Sequence, residues 1–184
     1  MTTPRLAPLE PPFDPALAAT LEAMMPPGVP PLQLFRTLAH NPRILEKIRA
    51  SNLLDRGTLA RREREIVILR ATARAGGEYE WGVHVAFFAA RVGLTEAQVA
   101  ATAHGGPDDP AWSPRERLLV RLVDQLHDTA RLDDALWSEL AAAFEPAQLV
   151  ELVVLAGFYR TISCLVNAFA IAPEEGAPRL PARG

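Results

Sequence analysis

A chain of 184 residues, 49% of them hydrophobic, is long and apolar enough to bury a sizeable core as one compact domain. Its 19 basic and 22 acidic residues leave a net charge of -3 and are scattered, with no basic stripe to follow a phosphate backbone, which argues against nucleic acid as a partner. No apolar run reaches the roughly 18 to 20 residues of a bilayer span without interruption, and the start, MTTPRLAPLEPPFDP, lacks the apolar core of a secretory signal, so the expectation is a cytoplasmic protein with no membrane partner.

The first 31 residues hold nine of the 17 prolines. That density predicts an extended, poorly packed arm around one short helix near Ala16 to Met25. Helices follow at about 31–40, 42–54, 58–75, 78–92, 95–103, 113–129, 132–143 and 146–171. Asn41 before Pro42 places a capping side chain ahead of a proline at the first helical position, where its missing N–H costs nothing. Thr95 with Gln98, and Ser113 with Glu116, fit the capping box, in which each side chain satisfies the other's backbone donor.

In the helix from 113 onward, Leu118, Leu119, Leu122, Val123 and Leu126 form one apolar face opposite Arg115, Arg117, Arg121 and Asp128. The last helix is apolar almost all round, which predicts a place at the centre of the fold or at a subunit contact. Alternating apolar and polar runs are absent, so the fold class is all-α, with about seven or eight helices. The division expected is a Pro-rich arm at 1–31, a helical domain at 32–172 and a flexible tail at 173–184. A single cysteine, Cys164, excludes an intrachain disulfide and a CxxC pair, and its apolar surroundings predict a buried small hydrophobe. His40, His104 and His127 read as structural; His104 and His127 lie at helix ends, where the dipole favours them.

The stretch REREIVILRATARAGGEYEWGVHVAFFAARVG is the most unusual. Glu65 opens an apolar helix that Gly76 and Gly77 end. On the next helix Glu80 and His84 are four residues apart and project from one side, flanked by Trp81, Val85 and Phe88. Burial raises a carboxyl's pKa and a neighbouring imidazolium lowers it, so the pair can be poised for general acid–base work. If the glycine turn folds the two helices antiparallel, Glu65 joins them. The same i, i+4 pair is also a common surface contact worth only a few tenths of a kcal/mol. A three-ligand metal site built from Glu65, Glu80 and His84 is a further possibility, as is a non-catalytic oligomeric binding protein.

The order Glu65, apolar helix, glycine break and EYEWGVHVAFFAARVGLTEAQV resembles the carboxymuconolactone decarboxylase and AhpD-like superfamily, most densely over residues 59 to 104. In the alkylhydroperoxidase branch a glutamate, a CxxC pair and a histidine carry peroxide reduction. On this chain the glutamate matches Glu65 and the histidine His84, while Gly77 and Glu80 occupy the cysteine positions. The resemblance therefore disfavours peroxiredoxin-type thiol chemistry. It implies instead a decarboxylase-like lyase, isomerase or lactone hydrolase that needs no metal or organic cofactor and acts on a small carboxylated or carbonyl compound. Glu65, Glu80 and His84 would be catalytic, and Tyr79, Trp81 and Phe88 would line the substrate pocket. Arg70, Arg74 or Arg91 would have to supply cations for a carboxylated substrate. The resemblance also implies a homo-oligomer, a trimer or hexamer.

Overall fold

Local capping chemistry starts the helices where the side chains call for it. Asn41 Oδ1 accepts the Ile44 N–H at 3.2 Å. Thr95 Oγ1 accepts from Gln98 N while Gln98 Oε1 accepts from Thr95 N, and Ser113 and Glu116 repeat the exchange. The computed structural model describes residues 3–51 and 53–181, and among these the chain forms nine α-helices and no strand. They are α1 (Pro15–Ala23), α2 (Gln33–Leu38), α3 (Pro42–Ala50), α4 (Arg61–Arg74), α5 (Glu78–His84), α6 (Glu96–Ala103), α7 (Pro114–Thr129), α8 (Asp134–Ala143) and α9 (Pro146–Ala168). The helix expected at 42–54 stops at Ala50, and Asn52, like 1–2 and 182–184, lies outside the described residues.

The helix expected at 78–92 is three kinds of turn. α5 ends at His84, Val85–Ala89 widens into a π-helical turn, and Ala90–Val92 tightens to 3₁₀ before Gly93 closes it with a φ of +71°. Widened turns of this kind recur beside functional sites.

The helix at the centre is α4, not the last helix. Every residue from Arg64 to Ala73 is buried, because α5, α6, α7 and α9 all pack against α4. Its sequence hides this role behind five arginines and two glutamates. Burial is tolerated because the arginines reach partners on α7: Arg70 makes a bidentate pair with Asp124 at 2.7 and 2.8 Å, and Arg62 meets Glu116 at 2.7 Å.

The more apolar α9 buries one face, including Leu152, Leu155, Tyr159, Ile162 and Val166, and exposes another at Val150, Val153 and Val154. By length and composition α9 satisfies the requirement for a bilayer span, yet 44% of its most apolar window is buried in this protein. Cys164 lies on an exposed part of α9 rather than in the core expected for it.

Two apolar clusters organise the interior. One joins α4 with α6 through α9. The other packs α1, α2 and α3 onto α5 and α9, through Leu21, Leu34, Leu38 and Leu45 against Tyr79, Val83, Ile162 and Val166.

The proline-rich arm is therefore packed rather than loose. Leu9, Phe13, Leu17 and Leu21 recur every four positions between the prolines and face the second cluster, and Arg5 N donates to Phe169 O at 2.9 Å. The segment expected to be a flexible tail is tied down as far as it is described. Glu174 accepts from Gln33 N at 2.6 Å and from the Tyr79 hydroxyl, and Arg179 pairs with Glu78 at 2.5 Å.

Candidate active site

The turn between α4 and α5 brings the chemistry together. Gly76 takes a φ of +64°, which an L side chain rarely adopts. Gly77 N donates to Thr72 O at 2.8 Å. A β-carbon on Gly77 would collide with the Ser163 hydroxyl of α9, so the position closes on backbone packing and has no room for a side chain. This tight hairpin lays α5 back along α4 and sets His84 beside Glu65, 19 positions earlier in the chain.

The structure brings Glu65, Glu80 and His84 into one buried chain of contacts. His84 Nδ1 lies 2.7 Å from Glu65 Oε2, and His84 Nε2 lies 3.4 Å from Glu80 Oε1, at the outer limit of a hydrogen bond. Glu65 is fully buried, His84 is 2% exposed and Glu80 is 8% exposed. Arg64, also buried, places its Nε 3.4 Å from Glu65 Oε1 and donates from Nη1 to Asp55 O at 3.2 Å. The rings of Phe88 and Tyr159 pack on the imidazole, with centroids 5.1 and 5.0 Å away.

The formal charges of two carboxylates, one guanidinium and one imidazolium sum to zero, which is how such a cluster tolerates burial. Burial pulls the His84 pKa down, but its contacts with Glu65 and Glu80 push harder the other way and raise it to about 9. The ring therefore carries both protons at neutral pH, one directed to each carboxylate. Burial, together with the charges of Glu80 and Glu65, lifts the Tyr159 hydroxyl well above the usual phenol range and keeps it neutral.

Glu80 and Tyr159 share the wall of a cavity of about 220 Å³. Met24, Leu34, Phe35, Ile48, Phe158 and Ile162 make most of the rest apolar. His84 and Glu65 do not line it: inward from the cavity the sequence runs Glu80, His84, Glu65. This arrangement can take a proton from a bound molecule onto a carboxylate that a buried imidazolium holds in place. Another cavity of about 210 Å³, beside α7 and α9 near His127 and Arg160, contains none of these side chains.

Of the three residues expected to line a pocket, none lines the cavity that Glu80 faces, whereas Tyr79 lines a separate cavity of about 730 Å³ with Glu78, Glu174 and Arg179. The Tyr79 hydroxyl accepts from Leu34 N at 3.1 Å and donates to Glu174, which ties α5 to α2 and to the chain after α9. Trp81 points into the larger core, where Nε1 donates to Thr102 Oγ1 at 3.0 Å. Phe88 packs on His84 but does not line the cavity that Glu80 faces.

The cations expected to receive a carboxylated substrate are elsewhere too. Arg70 and Arg74 pair with acids of α7, Asp124 for both and Asp128 for Arg74, and Arg91 lies on the 3₁₀ turn, outside the cavity wall.

Sequence reasoning missed Tyr159, Arg64 and the walls supplied by α1–α3. Tyr159 had a signal, as one of only two tyrosines in the chain, set on the buried stripe of α9 with Leu152, Leu155, Ala156 and Ile162. As for a metal, both imidazole nitrogens already face carboxylate oxygens. Among the described residues no group of three or more His, Cys, Asp or Glu has the geometry to hold an ion.

The carboxymuconolactone decarboxylase family model matches residues 42–125, which include Glu65, Glu80 and His84. That segment is similar to the carboxymuconolactone decarboxylase family, and the chain as a whole has an AhpD-like fold. Solved structures agree on the AhpD-like fold. An uncharacterized peroxidase-related protein from Silicibacter sp. TM1040 superposes with a TM-score of 0.80 at 18% identity, over 96% of this chain and 97% of that one. The debrominase Bmp8, in complex with 2,3,4-tribromopyrrole, gives a TM-score of 0.76 at 16% identity, over 95% and 94%. A peroxidase-related protein from Ralstonia eutropha JMP134, described as an alkylhydroperoxidase AhpD core, gives 0.69 at 15% identity, over 95% of each chain. At these identities the likeness is one of fold. No curated protein sequence matches the chain.

The two positions that the resemblance assigns to thiols are occupied by residues without sulfur. Gly77 is packed backbone against Ser163, and Glu80 is the carboxylate on the cavity.

Proposed function

We propose that this protein is a cofactor-free acid–base enzyme that moves a proton on a small carboxylated or carbonyl compound, within the range of decarboxylases, isomerases and lactone hydrolases. The observation that carries the reading is the position of Glu80, on the cavity wall with the buried His84 and Glu65 behind it. Glu80 is the group that meets substrate. His84 steadies its charge, and Glu65 holds the imidazole in orientation through the Nδ1 contact. Arg64 offsets the second buried carboxylate.

Thiol-based peroxide reduction, suggested by the names of the structural neighbours, finds no second cysteine here. A homo-oligomer, trimer or hexamer, is part of the same proposal, and the exposed valines of α9 support it.

The test is solvent-deuterium incorporation into a panel of small ketones and carboxylated lactones, followed by mass spectrometry. Wild-type protein should introduce deuterium beside the carbonyl of a member of the panel, and Glu80→Gln and His84→Asn should each lose that activity. Incorporation at the wild-type rate by both variants would remove the reading.

A further inference from the structure

We infer that Tyr159 is the hydrogen-bond donor that receives the substrate's oxygen, and that the substrate is a neutral, largely apolar carbonyl compound rather than a polycarboxylate. The inference rests on the acid–base role given to Glu80 and adds to it a second catalytic group and a substrate class.

The two tyrosines of the chain are in opposite situations. The Tyr79 hydroxyl is satisfied on both sides, by Leu34 N and by Glu174. Tyr159 is only 3% exposed and its ring is fixed between His84 and Phe158, yet its hydroxyl has no hydrogen-bond partner among the described residues. The hydroxyl oxygen is not sealed off among the buried, unpartnered polar atoms, so a partner can reach it from the cavity. Tyr159 lines the cavity beside Glu80, so a ligand there can supply the missing acceptor. The charges of Glu80 and Glu65 both act on the phenol and oppose its ionisation, which keeps it a donor.

The walls decide the substrate's charge. Arg49 is the only cation among the described lining residues, and it is already engaged by Glu46 at 2.9 Å on the exposed side of α3. A carboxylate bound here would face Glu80 with no free cation to offset the repulsion. A neutral carbonyl meets no such penalty, and its ring or chain would lie against Leu34, Phe35 and Phe158. A cavity of about 150 Å³ takes benzene, so the 220 Å³ here suits a molecule of roughly nine non-hydrogen atoms.

The chemistry closes without a co-reactant. The Glu80 carboxylate takes a proton from the carbon next to the carbonyl, and the C–H electron pair moves into the ring as the carbonyl pair moves onto oxygen. The Tyr159 O–H donates to that enolate oxygen. With a β,γ-unsaturated ketone, the Glu80 carboxylic acid returns its proton to the γ-carbon. The product is the conjugated isomer, with no change in oxidation state and the carboxylate restored.

The test uses 3-cyclohexen-1-one as the neutral probe and 5-oxocyclohex-2-ene-1-carboxylate as its charged counterpart, with conversion to the conjugated ketones followed by ultraviolet absorbance. Wild-type protein should isomerise the neutral ketone with a kcat/KM at least tenfold above that for the charged one. Tyr159→Phe, with its melting temperature checked, should lower kcat by about a hundredfold and leave KM nearly unchanged, as loss of an oxyanion donor does. Tyr159→Phe at the wild-type rate would overturn the donor role. A preference for the charged ketone, or no turnover of the neutral one, would overturn the substrate class. Glu80→Gln separates the levels: if it is inactive, the acid–base reading stands whatever Tyr159→Phe does, and if it is fully active both readings fall.

Discussion

Raising the pH should remove a defined part of this protein's stability through one buried group. His84 is raised from 6.5 to about 9 in the folded protein by Glu65 and Glu80, against the opposing effect of burial. A group whose proton is held more tightly in the folded state stabilises it fully below the unfolded pKa, and that contribution is lost as pH rises through the folded value. Each tenfold of proton affinity is about 1.4 kcal/mol, so the His84 proton is worth on the order of 3 kcal/mol at pH 6 and almost nothing at pH 10. Urea unfolding of wild type and His84→Gln across that range isolates the effect, because other titrating groups contribute to both. Wild type should lose about 3 kcal/mol more than the variant, mostly between pH 7.5 and 9.5, and the His84 ring carbon should titrate by NMR near pH 9. Parallel stability profiles, or an NMR midpoint at or below 6.5, would refute the arrangement of charges described above.

Glu65→Gln preserves shape but removes the charge that faces both Arg64 and His84; unfolding free energy should fall by about 3 kcal/mol or more, as when a buried pair loses one member, and the His84 midpoint should move down by NMR. Gly77→Ala should cost about 1 to 3 kcal/mol in chemical denaturation, because the added carbon meets the Ser163 hydroxyl, and Ser163→Gly in the same chain should recover part of it. Cys164→Ser, at an exposed position, should change stability by less than about 0.5 kcal/mol and leave peroxide consumption at background, as read by a peroxide assay with a dithiol reductant. If the proposed homo-oligomer forms through the exposed face of α9, Val154→Asp should lower the mass measured by light scattering.

What the sequence determined alone is whatever acts over a few residues. Asn41, Thr95 and Ser113 each bond a backbone donor three positions away, so their helix starts are visible without a fold. Glu80 and His84 are one turn apart on a single helix, so their proximity follows from helical geometry. Glu65 came within reach only conditionally, because its contact with His84 needs the hairpin at Gly76 and Gly77 to close, and closure depends on Ser163 of α9 packing against a position with no side chain.

The tertiary structure decided the rest. Composition pointed to α9 as central or at a subunit contact, but the arginines of α4 are neutralised by Asp124 and Glu116, distant in sequence, and that pairing allows a charged-looking helix to occupy the centre. Prolines suggested a loose arm, but an extended backbone can still present Leu9, Phe13, Leu17 and Leu21 to a core, and α1–α3 thereby help to wall the cavity. Tyr159 joined the site for the same reason. Its meeting with Glu80 and His84 is set by how α9 packs on α4 and α5, an arrangement that no short-range pattern in the chain encodes.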